Sequence, residues 1–597
     1  MSTTQIPKHH NLGYALISVM LAMTILMGIV LVYLTITLGN RRDTANVTSS
    51  MTGFYAAEGG LNLRAEKVRA KFIDYNRPTG TAPSSTSPCV GSNLGTLDFA
   101  CDSSLTLGGR TVTTYVLDTT SADPAKNTGV VNSGETYAGL NYQQYSYRVV
   151  SEAKVSGQSG VEAKLQMEFQ SRLVPIFQFA AFYNNDLEIN PSPLMTLNGR
   201  VHTNGNLYVS PSTGLTINGR VTTGGIIRRG RKDASRCDGG AVNFSDSATT
   251  TKTLRACAGG TTDITSSDIT QYNGRVQMSV PRLTVPPLSS LDPNRQNELF
   301  SGADVRIVAH LVGGTWVPEV RDANNIIMAA ATSRLGDPSC IGAVTIDNVF
   351  YDNRERATQR LIEIDQQKMM DCIYRSPAEV FTNSTGASLT LDDTTGNGMA
   401  WHFSFDDGNT DTNNYAAKRQ TNYGIRVKNA TTLGSSNTIA PAVKGLTIVT
   451  NQAAYVQGSF NVNNIKPAAI ICDSINILSN SWPATDPAAG VKPAASNTEV
   501  NAAFMAGTDL TNGSTYNGGL ENYPRFHEDW GGKTFRYRGS FVSLDTPSHA
   551  RGQWGNALYN PPQRDWDYDL RFNDAATLPP LTPRFVYLRQ VLFAREY

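Results

Sequence analysis

Seven cations gather around one pair of cysteines. Arg228, Arg229, Arg231, Lys232 and Arg236 crowd the approach to Cys237, and a Cys237–Cys257 bridge would bring Lys252 and Arg255 alongside. A stapled loop of this kind has the means to hold several phosphates of single- or double-stranded DNA, or another polyanion, without reading bases. Its affinity would fall as salt rises. The other reading is a solvated loop that meets acids of a neighbour. The chain as a whole sets 51 Lys+Arg against 50 Asp+Glu, so no global field draws it to nucleic acid or anionic lipid.

Other chemistry-bearing groups are sparser. Asp407, Asn409 and Asp411 alternate oxygen ligands as the start of a calcium loop does. The Gly expected after the third ligand is missing, and Lys418 stands where the closing Glu belongs. Asp565, Asp567 and Asp569 share one face of an extended segment, fit for a cation or for protonating a sugar oxygen, but Arg564 and Arg571 beside them favour ordinary ion pairs. Trp530, Trp554, Trp566, Tyr516, Tyr523 and Tyr559 crowd the C-terminal region. Exposed, they would make a platform for sugar rings or bases; packed, they would cap the open end of a stack of coils, which is the preferred reading. His202 lies in a turn beside Asn204 with no nucleophile in the motif. There is no G-x-S-x-G, no Gly-rich phosphate loop with a Lys and no H-E-x-x-H, so no catalytic residue, no cofactor and no enzyme activity are expected.

The cysteines describe a compartment. Cys89/Cys101, Cys237/Cys257 and Cys340/Cys372 sit in polar, Gly- or Ser-containing sequence and make three local bridges if paired in order, one of many pairings that six cysteines allow. Cys472, in Ala468-Ala469-Ile470-Ile471-Cys472, reads as a buried free thiol. Bridges point to an extracytoplasmic setting.

The element that must carry all this outward is at the start of the chain. Tyr14 to Asn40 holds no charged side chain, and a helix over it rises about 40 Å, enough to cross the hydrocarbon core of a bilayer. Beyond it Val47, Met51, Phe54, Leu61, Ala65, Val68 and Phe72 keep a spacing of threes and fours, with Glu58 the polar occupant of the register, and the first breaker is Pro78. One helix of roughly 60 residues and about 95 Å is expected over 14–77, with 14–40 transmembrane. Gly59-Gly60 weakens it by about 2 kcal/mol and marks a candidate bend.

Met1 to Gly13 is short and polar, with Lys8, His9 and His10 close to the apolar run, and ends in Gly13-Tyr14-Ala15-Leu16-Ile17. This resembles the cleavage site of type IV prepilins, where a peptidase cuts after the Gly and the apolar segment stays as the stem of the mature subunit. Phe54-Tyr55-Ala56-Ala57-Glu58-Gly59-Gly60-Leu61 is similar to the helix of PilX-type minor pilins. Major pilins carry a glutamate five residues into the mature chain; Ser18 stands there, which suits a rare tip or initiating subunit. A plain uncleaved membrane anchor is the other reading of the same segment.

The rest is β-rich. In 78–185, Arg110 to Leu117 is a strand, and Tyr145, Tyr147 and Val149 pair across a Gly turn with Val161 to Leu173, whose period of two leaves one apolar face for the helix to cover. Leu197-Asn198-Gly199-Arg200-Val201 recurs as Ile217-Asn218-Gly219-Arg220-Val221 and more faintly as Asn273-Gly274-Arg275-Val276. This predicts coils of a β-solenoid of the right-handed β-helix kind over 186–500, with an insertion at 226–270; a hairpin stack or sandwich is the alternative. Asn353 to Met370 and Ser376 to Phe381 are helix candidates. Residues 501–597 form an aromatic-rich cap.

A second resemblance lies in Gly445 to Trp482, Asn501 to Gly507, Tyr516 to Trp530, Arg538 to Phe541 and Tyr559 to Trp566. These phrases look like the C-terminal region of the hormogonium polysaccharide biosynthesis protein of filamentous cyanobacteria and of large minor pilins of the Deinococcus–Thermus group. Together the resemblances imply an α+β protein with a pilin-like helix on a sheet and a large β domain. They imply a non-enzymatic minor pilin that sits in the inner membrane, is cut by the prepilin peptidase, and joins other pilins and the assembly machinery of a surface pilus. Adhesion and DNA capture in transformation are the implied work; export or binding of surface polysaccharide, or a membrane-anchored β-helix enzyme on polysaccharide, are the alternatives.

Overall fold

The structure is a computed structural model that describes residues 12–71, 78–258, 260–293, 298–375, 381–383, 386–408, 422–513, 516–517, 519–550, 552, 555 and 557–596. Helix α1, Leu12–Lys71, is unbroken over 60 residues, a length of about 90 Å. Its first half is exposed on all sides, and it is long and apolar enough to cross a membrane. The Ser and Thr hydroxyls there turn back on the helix: Ser18 Oγ donates to the Tyr14 carbonyl at 2.8 Å and Thr37 Oγ1 to that of Tyr33 at 2.7 Å, so these groups need no outside partner.

The second half lies on a sheet. Strands β1 (Asp102–Leu107), β2 (Arg110–Asp118), β3 (Thr128–Val130), β4 (Asn141–Val155) and β5 (Val161–Pro175) join the C-terminal strand Arg584–Glu596 in the order β1-β2-β4-β5-C-terminal strand, with β3 on β4. The hairpin is as its alternation predicts, with Tyr147 opposite Phe169. Leu61, Val68, Val112, Val116, Tyr147, Val149, Leu165 and Phe169 form the shared core.

Two expectations for the helix are corrected. Val47 and Met51 are more than half exposed, and the face against the sheet is Gly53, Ala56, Ala57, Gly60, Leu61, Arg64 and Val68. Gly59-Gly60 does not interrupt the helix. A Cβ on Gly60 would stand 2.4 Å from Val112 Cγ1, so the glycine lets the helix approach the sheet closely. Residues 72–77 lie outside the described residues, so the described helix ends at Lys71.

The chain then leaves this sheet and winds. Strands β6 (Phe179–Tyr183), β7 (Leu187–Ile189), β8 (Met195–Leu197), β9 (Arg200–Thr203), β10 (Leu207–Val209), β11 (Gly214–Ile217), β12 (Val221–Thr223), β13 (Ile227–Arg229) and β14 (Ala241–Ser245) stack in three parallel ladders. Leu187, Leu207 and Ile227 superpose, as do Leu197, Ile217 and Phe244, and Val201, Val221 and Val276. All are buried, each rung covering the next. Residues 226–270 are therefore not wholly an insertion: β13 and β14 are the third rung of two ladders, because Ile227, Val242 and Phe244 supply the apolar positions it needs.

The sheet that begins with β6 has eleven strands, and its order reverses expectation for the C-terminal region. From β6 the ladder runs one way through β9 and β12 to Val276–Gln277. On the other side β6 meets Phe541–Ser543, then Ala503–Ala506, Ala468–Ile471, Leu446–Thr450, Met399–Asp406, Val305–Val312 and Thr315–Val320. Residues 501–597 thus form no end cap. Phe541 pairs with Ala181 in the middle of the sheet, and the last strand returns to β5. Trp530, Tyr523, Tyr559 and Trp566 are packed in the core as expected, but not at an open end, while Trp554 lies outside the described residues.

Asn353 to Met370 is not one helix. Ala357–Asp365 is a strand, paired with Val344–Asp352 and Tyr423–Lys428, and the helix is Gln366–Arg375. Alternation of Leu361 and Glu363 with Ile362 and Ile364 in a two-sided buried strand outweighed the helical spacing. Of Ser376 to Phe381, all but Phe381 lie outside the described residues.

Candidate functional site

The stapled loop forms as the spacing suggested. Cys237 and Cys257 are bonded, with Cα atoms 6.3 Å apart, and Cys89–Cys101 and Cys340–Cys372 are the other two bridges. Cys472 is free and buried.

Its cations do not stand free. Arg228 Nε is 2.6 Å from Asp263, Lys232 Nζ 3.0 Å from Asp186, Arg236 Nε 2.9 Å from Asp238, and Arg255 Nη1 3.3 Å from Asp268. Lys252 Nζ stands 3.6 Å from Asp246. Arg231 lies 3.9 Å from Asp238 and caps the Tyr516 ring, its guanidinium carbon 4.4 Å from the centroid. Arg229 is buried, donating to the carbonyls of Val209 at 3.2 Å and Gly240 at 2.9 Å, and burial lowers its pKa. The sequence cluster is thus brought together, but with its own counterions. Asp238 stands next to Cys237 in the sequence, but the distant acids were hard to foresee: Asp186 comes from the turn after β6 and Asp268 from beyond the second cysteine. Phosphates would have to displace carboxylates already in place.

The other candidates disperse. Asp407 accepts from Tyr423 Oη at 3.0 Å, and Asn409 and Asp411 lie outside the described residues. Asp565 is held by Arg536 and Arg538, Asp567 by the Asn198 backbone N–H, and Asp569 by Arg571. His202 is fully buried between Thr222 Oγ1 at 2.8 Å and Asn204 Oδ1 at 3.1 Å, and burial lowers its pKa to about 4, so it remains neutral.

At the N-terminus, Gly13 and Tyr14 occupy the first turn of α1, and Tyr14 and Ser18 are exposed. Residues 1–11 lie outside the described residues. Glu58 is half-buried on the flank of the helix that faces the sheet. Arg64, one turn and a half on, is buried and donates to the carbonyls of Asp98 at 2.9 Å and Ala100 at 2.6 Å, which ties the Cys89–Cys101 loop to the helix.

No protein-family model and no curated protein matches the chain. Among solved structures, the crystal structure of the competence-associated pilin ComZ from Thermus thermophilus aligns with it at 14% identity, over 92% of this chain and 98% of that one, with a TM-score of 0.25. A superposition that loose carries nothing about fold or function.

Proposed function

We propose that this protein is a non-enzymatic, pilin-like subunit of a type IV pilus, held in the membrane by the first half of α1 before assembly and packed by it into the filament afterwards. One observation carries the reading: a single helix whose exposed apolar half, Tyr14 to Asn40, continues without a break into a half docked on a five-strand path of sheet. A soluble protein gains nothing from some 40 Å of exposed apolar helix; a subunit that leaves a bilayer for a helical bundle needs both halves in one rod.

In this reading the prepilin peptidase cuts between Gly13 and Tyr14. Ser18 in place of an acid restricts the subunit to few copies at or near the tip. The ladder region, a β-solenoid in this proposal, is the cargo displayed on the surface for adhesion and for DNA uptake in competence. Two measurements test it. N-terminal sequencing of the protein from cells should find a chain beginning at Tyr14, and the protein should appear in the sheared filament fraction. Deletion of the gene should lower transformation or twitching; a chain that keeps its leader, stays with the membranes and changes neither phenotype would overturn the proposal.

A further inference from the structure

The repeat Asn-Gly-Arg-Val stacks its arginines. The backbone N–H of Val201 donates to the Arg220 carbonyl and that of Val221 to the Arg275 carbonyl, each at 2.9 Å, so Arg200, Arg220 and Arg275 occupy the same corner of three successive rungs. Rungs of a parallel sheet are about 4.8 Å apart, which sets three like charges in a column. This corner differs from the stapled loop in one respect. Among the described residues, none of these three arginines is in an ion pair. Arg200 Nη2 donates to the Ala138 carbonyl at 2.7 Å, Arg220 Nη1 to the Gly274 carbonyl at 3.3 Å, and Arg275 Nε to Ser245 Oγ at 2.7 Å. Each guanidinium has five N–H donors and all three arginines are half-buried, so the donors left over from these bonds can reach a ligand only along the exposed part of each side chain. The acid that acts on Arg275, Asp246, is engaged by Lys252 and Thr250. Burial first, then repulsion from Arg220 and Arg275, lowers the pKa of Arg200 to about 10.

Beside the charges runs a column of amides. Asn198, Asn218 and Asn273 are exposed. Asn218 Nδ2 donates to Asn198 Oδ1 at 2.7 Å, Asn198 Nδ2 to Asp567 Oδ2 at 2.5 Å and Asn273 Nδ2 to the Asp246 carbonyl at 3.3 Å, which leaves amide oxygens as the groups that face outward for a ligand hydroxyl. The rings nearby, Tyr137, Tyr272 and Tyr568, are buried, so this corner offers no platform on which bases would stack.

We propose that the Arg200–Arg220–Arg275 corner binds an acidic polysaccharide with a carboxylate on successive sugars. The guanidiniums take the carboxylates as charge-assisted hydrogen-bond pairs and the amide column takes ring hydroxyls. The repeat thereby acquires a ligand-binding role beside its structural one. The proposal does not depend on the filament reading, since it concerns a surface present whether or not the chain is cut or assembled.

The test uses the full chain in detergent, applied at low salt to immobilised polygalacturonate, with neutral dextran and duplex DNA as parallel surfaces. The wild type should bind polygalacturonate and not dextran, with affinity falling as salt rises. R220Q should weaken binding about tenfold, the scale of one lost charge-assisted contact, and R220Q/R275Q should abolish it. N218D, which puts an acid in the amide column, should also weaken it, so the test survives if the double variant does not fold. R236Q in the stapled loop should leave it unchanged. Absence of wild-type binding, binding by R220Q and N218D as tight as that of the wild type, a loss with R236Q as large as with R220Q, or DNA binding through these arginines without polygalacturonate binding would each overturn the assignment.

Discussion

Arg110 and Glu162 meet at 2.8 Å, on the face that β2 and β5 turn towards the long helix. Ser49 of α1 joins both: its hydroxyl donates to Glu162 Oε1 and accepts from Arg110 Nη2 at 2.8 Å. One ion pair between strands therefore doubles as the latch for the helix, just where the exposed rod becomes a packed one.

The latch has a pH signature. The hydrogen bonds from Arg110, opposed by partial burial and joined by the one from Ser49, hold the Glu162 carboxyl below its ordinary value. An unfolded Glu titrates near about 4.3. The stabilisation is thus complete above that value and lost as pH falls through the lower folded one. E162Q should melt at a lower temperature than wild type at pH 7, and the difference should shrink steadily as pH falls below about 4.3; a gap that stays constant as the solution is acidified would refute the latch.

Glu521 behaves in the opposite sense. It is buried, with one oxygen accepting the Asn190 N–H at 3.0 Å, and burial above all raises its pKa to about 7. The folded state then holds this proton more tightly than the unfolded state, so stability is greatest below about 4.3, falls as pH rises towards 7, and levels off beyond. E521Q should match wild type near pH 4 and melt higher at pH 8. Thermal melts across that range decide it, and parallel curves would show that Glu521 is not the titrating group.

Gly219 should tolerate no side chain. A Cβ there would stand 2.0 Å from the carbonyl oxygen of Gly199 on the rung below. Backbone must shift to admit it, and G219A should cost about 1–3 kcal/mol, the range for overpacked sites. Chemical denaturation measures this; a variant as stable as wild type would mean that the rungs are not stacked in this register.

The sequence made several things legible through short-range physics. A charge-free run of membrane length, the period-two alternation of Val161 to Leu173 and the twenty-residue recurrence of Asn-Gly-Arg-Val each follow from local geometry, and rod, hairpin and in-register rungs are all present. Cysteine order sufficed for the bridges because each pair closes a local loop. The same reasoning failed where two periods compete, as at Leu361 to Ile364, and where glycines serve close approach, as at Gly60.

What only the tertiary structure decided depends on contacts between distant residues. Nothing near Arg228 to Arg236 announces that Asp186 and Asp263 will neutralise part of that loop, while Arg200, Arg220 and Arg275 have no ion-pair partner among the described residues. Nothing near Phe541 says that it will lie beside Ala181, placing the C-terminal rungs at the centre of the sheet and the last strand on β5. Local pattern fixes which face of a strand is apolar. Which neighbour covers that face, and which charge finds which counterion, is settled only when chain ends hundreds of residues apart compete to bury the same surface.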